Sequence, residues 1–183
     1  MVFDPSYPDI DMEKFDKHDW SKTVYDCGPE DLPPNMPKSR GLGIIVSAYV
    51  DSYHAGDTVT RRSRTVFLVY CNSALVYWMI KKQSSIETSS FGSEFLAMKV
   101  CTEYLRGLRF ELRMVGICCN YPAFIYGDNQ SALANTMIPH SVLKNKSNSI
   151  ACHFVREGTA RYEWRTTYIS THENHYDMLT KPL

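Results

Sequence analysis

The 183-residue chain has no apolar run approaching the ~20 residues that a membrane-spanning helix needs. It opens on acidic, proline-containing text rather than on a charged-then-apolar leader, so it is read as soluble and intracellular, with no membrane partner. Among its six cysteines there is no C-x-x-C pair, and Cys118 and Cys119 are adjacent, which suits neither a zinc site nor a disulfide framework. Excess charge is also missing: 20 Lys+Arg balance 20 Asp+Glu. The whole-chain field therefore cannot draw in a polyanion, and any such site must be built from local basic clusters. What is present is an average globular composition, 44% hydrophobic and 22% charged, enough for one well-buried core.

Six of the nine prolines fall within residues 1–40, among Asp4, Asp9, Asp11, Glu13, Asp16 and Asp19. Residues 1–42 accordingly read as an extended arm with one helical turn near Met12 to Asp19, and residues 43–183 as the folded domain. From Gly43 the text alternates with a period of two, Ile44, Val46, Ala48 and Val50 against Ile45, Ser47, Tyr49 and Asp51, which marks a strand. Thr65 to Cys71 and Leu75 to Ile80, joined at Asn72 and Ser73, complete an antiparallel meander. Phe91, Phe95, Met98, Thr102 and Leu105 recur every three or four residues, a long helix with Ser89 or Ser90 as its N-cap. Ala123 to Tyr126 is a short strand leading through Gly127 to Asn129 into a second helix. A third helix is expected over Ser147 to Arg161, a last strand over Glu163 to Ile169 and a closing helix over Asn174 to Lys181. The class is α/β.

This order gathers acids. Asp51 ends the first strand, Glu94 lies in the first turn of the long helix at the edge of its apolar stripe, Asp128 stands just past the fourth strand, and Asp177 is in the last helix. If the first and fourth strands are parallel neighbours, Asp51 and Asp128 end about 5 Å apart. Carboxylates that close repel unless divalent cations lie between them. Each has a plainer reading: a turn residue for Asp51, a helix-dipole partner for Glu94, a helix cap for Asp128. The case rests on the set.

Six blocks carry a resemblance: AYVDSYHAGD (48–57), TRRSRT (60–65), KKQSSIETSSFGSEFLAMK (81–99), YGDNQSA (126–132), KNKSNSIACHFVRE (144–157) and DMLTKPL (177–183). In this order and spacing they resemble the ribonuclease H domain of copia-type retrotransposon polyproteins. The opening VFDPSYPDID is similar to the segment that joins the polymerase region to that domain in elements of diatoms and related algae. The resemblance implies the ribonuclease H-like fold, a five-stranded mixed sheet flanked by helices. It implies hydrolysis of the RNA strand of RNA–DNA hybrids during reverse transcription, with two Mg2+ or Mn2+ ions about 4 Å apart held by Asp51, Glu94, Asp128 and Asp177. By the same mapping Asp51 bridges both ions, Glu94 and Asp128 hold the one on the leaving-group side, and Asp177 the one on the nucleophile side. The implied partners are the hybrid and the polymerase domain of the parent polyprotein. The implied location is a cytoplasmic virus-like particle or the nucleus.

The chain departs from the family at Tyr53, Val66, Ser170, His175 and Tyr176. Those around Asp177 define the competing reading, a degenerate domain that keeps the fold and serves as a nucleic-acid-binding or scaffolding module. An integrase-like strand-transfer domain fits the spacing less well. Arg61, Arg62, Arg64, Lys81, Lys82 and Gln83 are the candidate phosphate contacts, with a solvated hairpin as the alternative. Ser90, Asn129 and Gln130 are candidate contacts to the RNA strand, with helix capping as the alternative. Lys144 and Lys146 read as a surface loop, and His54 as structural. His172 and His175 are three apart, which rules out the helical zinc-protease pattern, and His172 is an accessory candidate ahead of Asp177. Tyr77, Trp78, Phe91 and Phe95 read as core.

Overall fold

The computed structural model describes residues 6–15, 18–25, 28–139 and 149–170. As far as β5 the elements follow the expected order, the expected closing helix over 174–181 lying outside the described residues: β1 (Val46–Tyr53), β2 (Arg64–Cys71), β3 (Ala74–Lys82), α1 (Ser90–Met114), β4 (Ala123–Gly127), α2 (Gln130–Met137), α3 (Ser149–Ala160) and β5 (Trp164–Tyr168). They form one sheet in the order β3-β2-β1-β4-β5. The meander β1–β2–β3 is antiparallel, and β4 and β5 add to β1 in parallel. Asn72 takes a positive φ of 54° in the two-residue β2–β3 turn, the conformation that asparagine tolerates in tight hairpins. Its side-chain oxygen also accepts a hydrogen bond from the Ile45 amide.

Alternation along the strands decides which side is core. Val46, Ala48 and Val50 of β1 and Phe67 and Val69 of β2 pack with Phe95, Met98, Cys101 and Leu105 of α1. Each large apolar side chain so buried contributes about 1.5–3 kcal/mol. At the other end of the sheet Trp164, fully buried, donates its indole N–H to the Val155 carbonyl and lies against Gly158 of α3, where a Cβ would meet the ring at 2.0 Å.

The described residues among the first forty are extended but packed down. A 3-10 turn, Met12–Lys14, leads to Phe15, whose ring meets Phe124 and Tyr126 edge-on at 4.8 and 5.6 Å on the sheet face away from α1. Trp20 and Tyr25 are likewise buried, and the Tyr25 hydroxyl lies 2.5 Å from Nδ1 of His153 on α3. Glu30 then reaches the far end of α1 and pairs with Arg109 and Arg113. One aromatic expectation is corrected. Trp78 is 56% exposed, because it lies on the β3 face shared with Val76 and Ile80, and both of those are exposed too. No helix among the described residues is long and apolar enough to cross a membrane.

Candidate metal centre

The parallel pairing of β1 with β4 places Val50 opposite Gly127, so Asp51 and Asp128 follow as neighbours at the same sheet end. Asn129 caps α2, its side-chain oxygen accepting from the Ala132 amide, while the Asp128 carboxyl turns to the acids. Ser89 caps α1. Glu94 is the fifth residue of α1, just past the first turn, so the helix dipole offers less reason for an acid there than the sequence suggested. One ligand oxygen from each of Asp51, Glu94 and Asp128 lies within 4.8 Å of the others. Asp51 is buried and the other two are partly buried.

Like charges at such a separation repel by about 3.5 kcal/mol per pair at an effective dielectric of about 20. Glu94 registers the strain: burial, then Asp51 and Asp128, push its carboxyl up to about 9, against the opposing pull of hydrogen bonds from Ser52. Ser52 also donates its backbone N–H to Asp51 at 2.7 Å. A cluster of hard oxygen donors that sheds a charge unless a cation joins it fits Mg2+ or Mn2+. Among the described residues, Asp51, Glu94 and Asp128 could hold such an ion. Asp177 and His172 lie outside the described residues, as do Lys144 and Lys146.

Of the other candidates, Arg61, Arg62, Arg64, Lys81 and Lys82 are all exposed. Arg64 and Lys82 stand directly opposite each other across β2 and β3, and Lys82 pairs with Asp57. Arg64 also faces Tyr53 across β1, two residues along from Asp51, about 7 Å on the same face of the strand. Gln83 is the correction: it is 5% exposed, and its amide donates to the Thr65 hydroxyl and the Ser93 carbonyl, so it braces the start of α1 from inside. Ser90 and Gln130 are exposed at the first positions of α1 and α2. Two polar residues around the acids escaped the sequence reading, Ser52 and Ser93, and His54, read there as structural, lies beside them. Ser52 shares the inward face with Val50, and Ser93 immediately precedes Glu94, a polar pair at apolar positions that signals a buried network.

No family model matches the chain. It is 31% identical over 146 residues to the retrovirus-related Pol polyprotein from transposon RE2 of Arabidopsis thaliana, an overlap of 79% of this chain and 10% of the polyprotein. The counterpart from transposon TNT 1-94 of Nicotiana tabacum is 29% identical over 143 residues, 77% of this chain and 10% of that one. The chain thus spans one tenth of the length of these relatives. Among solved structures, LC11-RNase H1 in complex with an RNA/DNA hybrid superposes with a TM-score of 0.56 at 11% identity, covering 73% of this chain and 92% of that one. RNase H1 from the archaeon Halobacterium salinarum gives 0.51 at 12% identity, covering 69% and 86%.

Proposed function

We propose, from the premise that this chain belongs to the retrovirus-related Pol polyproteins of copia-type transposons as the stretch that carries the ribonuclease H fold, that it cuts the RNA strand of RNA–DNA hybrids in a metal-dependent reaction. The observation that carries this reading is the convergence of Asp51, Glu94 and Asp128 to within 4.8 Å at one end of the sheet. By the family resemblance Asp177 would be a fourth ligand.

When bound, Mg2+ or Mn2+ supplies activation of water and stabilisation of the departing 3′ oxygen. The chain's own residues do the rest. Asp51, on the central strand, would be shared by the ions, Glu94 and Asp128 would hold the one that serves the leaving group, and Asp177, by the resemblance, would hold the one that serves the attacking water. Arg61, Arg62 and Arg64, with Lys81 and Lys82, supply the local positive field that the neutral chain otherwise lacks, and hold phosphates of the hybrid. Ser90, Asn129 and Gln130 present donors beside the acids to the 2′-hydroxyls, which distinguish RNA from DNA. The solved complex of LC11-RNase H1 with an RNA/DNA hybrid supports the choice of substrate, and the polyprotein relatives support a polymerase domain as partner.

The degenerate-domain reading drew on residues around Asp177, outside the described set; the intact cluster of three acids favours catalysis. The test is cleavage of an end-labelled RNA–DNA hybrid in Mg2+. The wild type cuts the RNA strand, and Asp51→Asn reduces the rate to the chelator background. No cleavage by the wild type, or undiminished cleavage by the variant, overturns the proposal.

A further inference from the structure

Beside the carboxylates runs a line of side chains that the reaction above does not use. Nδ1 of His54 lies 3.3 Å from the Ser93 hydroxyl and 3.5 Å from that of Ser63. The Ser52 hydroxyl donates to that of Ser93 at 3.0 Å, and Ser52 is also within hydrogen-bonding reach of the Glu94 carboxyl. Ser93 is fully buried and Ser52 nearly so, so neither can draw on water to satisfy its hydroxyl.

We propose that His54, Ser93 and Ser52 form a hydrogen-bonded relay that aims Glu94 at the metal ions, with His54 as the positioning residue at its outer end. This rests on the metal-centre reading above. Each hydroxyl has one proton, so the relay has a direction. With a proton on Nδ1, His54 donates to Ser93, Ser93 donates to Ser52, and Ser52 donates to the Glu94 carboxylate. Without it, the Ser93 proton turns to the imidazole or to the Ser90 carbonyl, 2.9 Å away, and Ser52 donates to Ser93 instead. Glu94 then loses the side-chain donor of Ser52, whose backbone N–H is shared with Asp51. An ionised, metal-holding Glu94 therefore selects the Nδ1–H form of His54, because a carboxylate is the strongest acceptor in the line. Partners that orient metal ligands in this way are worth about 10- to 100-fold in metal affinity.

The experiment uses the full chain with 15N-labelled histidine, Mg2+ titration by calorimetry, and the variants His54→Phe, His54→Asn and Ser93→Ala. The expected result is an Nδ1–H resonance for His54 in the Mg2+-bound wild type and its loss in Ser93→Ala. His54→Phe and Ser93→Ala bind Mg2+ about 10- to 100-fold more weakly, and His54→Asn, whose amide N–H reaches the position of Nδ1, regains most of the affinity. If burial makes Ser93→Ala unstable, the two His54 variants carry the test, since His54 is partly exposed. A wild type that binds Mg2+ with both His54 variants binding equally well overturns the relay and leaves the metal centre standing. A wild type that does not bind Mg2+ overturns both.

Discussion

Replacing Glu30 by Gln removes the carboxylate that Arg109 and Arg113 share. Four guanidinium N–H groups converge on it: Nε and Nη2 of Arg109 at 3.1 and 2.7 Å, and Nη1 and Nη2 of Arg113 at 2.6 and 2.7 Å. Both arginines are buried, with side chains 2% and 8% exposed, so the variant leaves two interior cations without their counter-charge. Breaking a buried ion pair costs about 3–5 kcal/mol, and since Gln keeps one acceptor oxygen the lower end applies, about 3 kcal/mol. For a chain of this size that is a fall in Tm of about 10 °C. The pH dependence has a definite sign. Burial pushes the Glu30 carboxyl up, but the hydrogen bonds from Arg113 and Arg109 outweigh it and bring it from 4.5 to about 2. The stabilisation is therefore complete above pH 4.5 and is lost as pH falls through 2, and Glu30→Gln flattens that acid limb. Urea and thermal unfolding at neutral pH, repeated down to pH 2, read both effects. A variant within about 0.5 kcal/mol of the wild type and with an unchanged acid limb would refute the reasoning, and with it the view that the segment before β1 is part of the folded unit.

Gly158→Ala drives a methyl into the buried Trp164 ring, 2.0 Å from Cζ2, and should cost about 1–3 kcal/mol in urea unfolding; an unchanged midpoint would contradict this packing. Arg64→Ala should raise KM for the hybrid with kcat nearly unchanged and lower the salt slope of binding by about 1, whereas a loss confined to kcat would remove it from the phosphate contacts. In the metal-free protein the Glu94 carboxyl sits near 9, raised by burial and by Asp51 and Asp128. Its stabilisation is fullest below pH 4.5 and is lost as pH rises through 9, so Glu94→Gln should level that decline. The same protonation means that Mg2+ binding at neutral pH releases a proton, which calorimetry in two buffers of different ionisation enthalpy detects as a buffer-dependent heat; equal heats would contradict it.

The element order was legible because the alternation through Val46, Ala48 and Val50 and the spacing of Phe95, Met98 and Leu105 are local signals that the core enforces. Convergence of Asp51 and Asp128 followed once the parallel neighbourhood of β1 and β4 was assumed, and the register supports it. Long-range pairing was not legible. Glu30 and Arg109 are 79 residues apart, and the prolines and acids of the arm concealed three anchoring rings, Phe15, Trp20 and Tyr25. Alternation also tells which residues share a sheet face but not whether anything covers it, which is why Trp78 read as core. Gln83 misled for a related reason: one residue past a strand ending in two exposed lysines, it turns inward to brace α1.

The central claim is that Asp51, Glu94 and Asp128 are held together against their own repulsion for a divalent ion. Unfolding of wild type and Asp128→Asn, each in chelator and in millimolar Mg2+, tests it most directly. The wild type should gain stability with Mg2+, about 2.7 kcal/mol at a concentration 100 times Kd. In chelator Asp128→Asn should be the more stable of the two, having lost a repelling charge, and it should gain little from Mg2+. A wild type indifferent to Mg2+, or a variant less stable in chelator and equally responsive, would contradict the account.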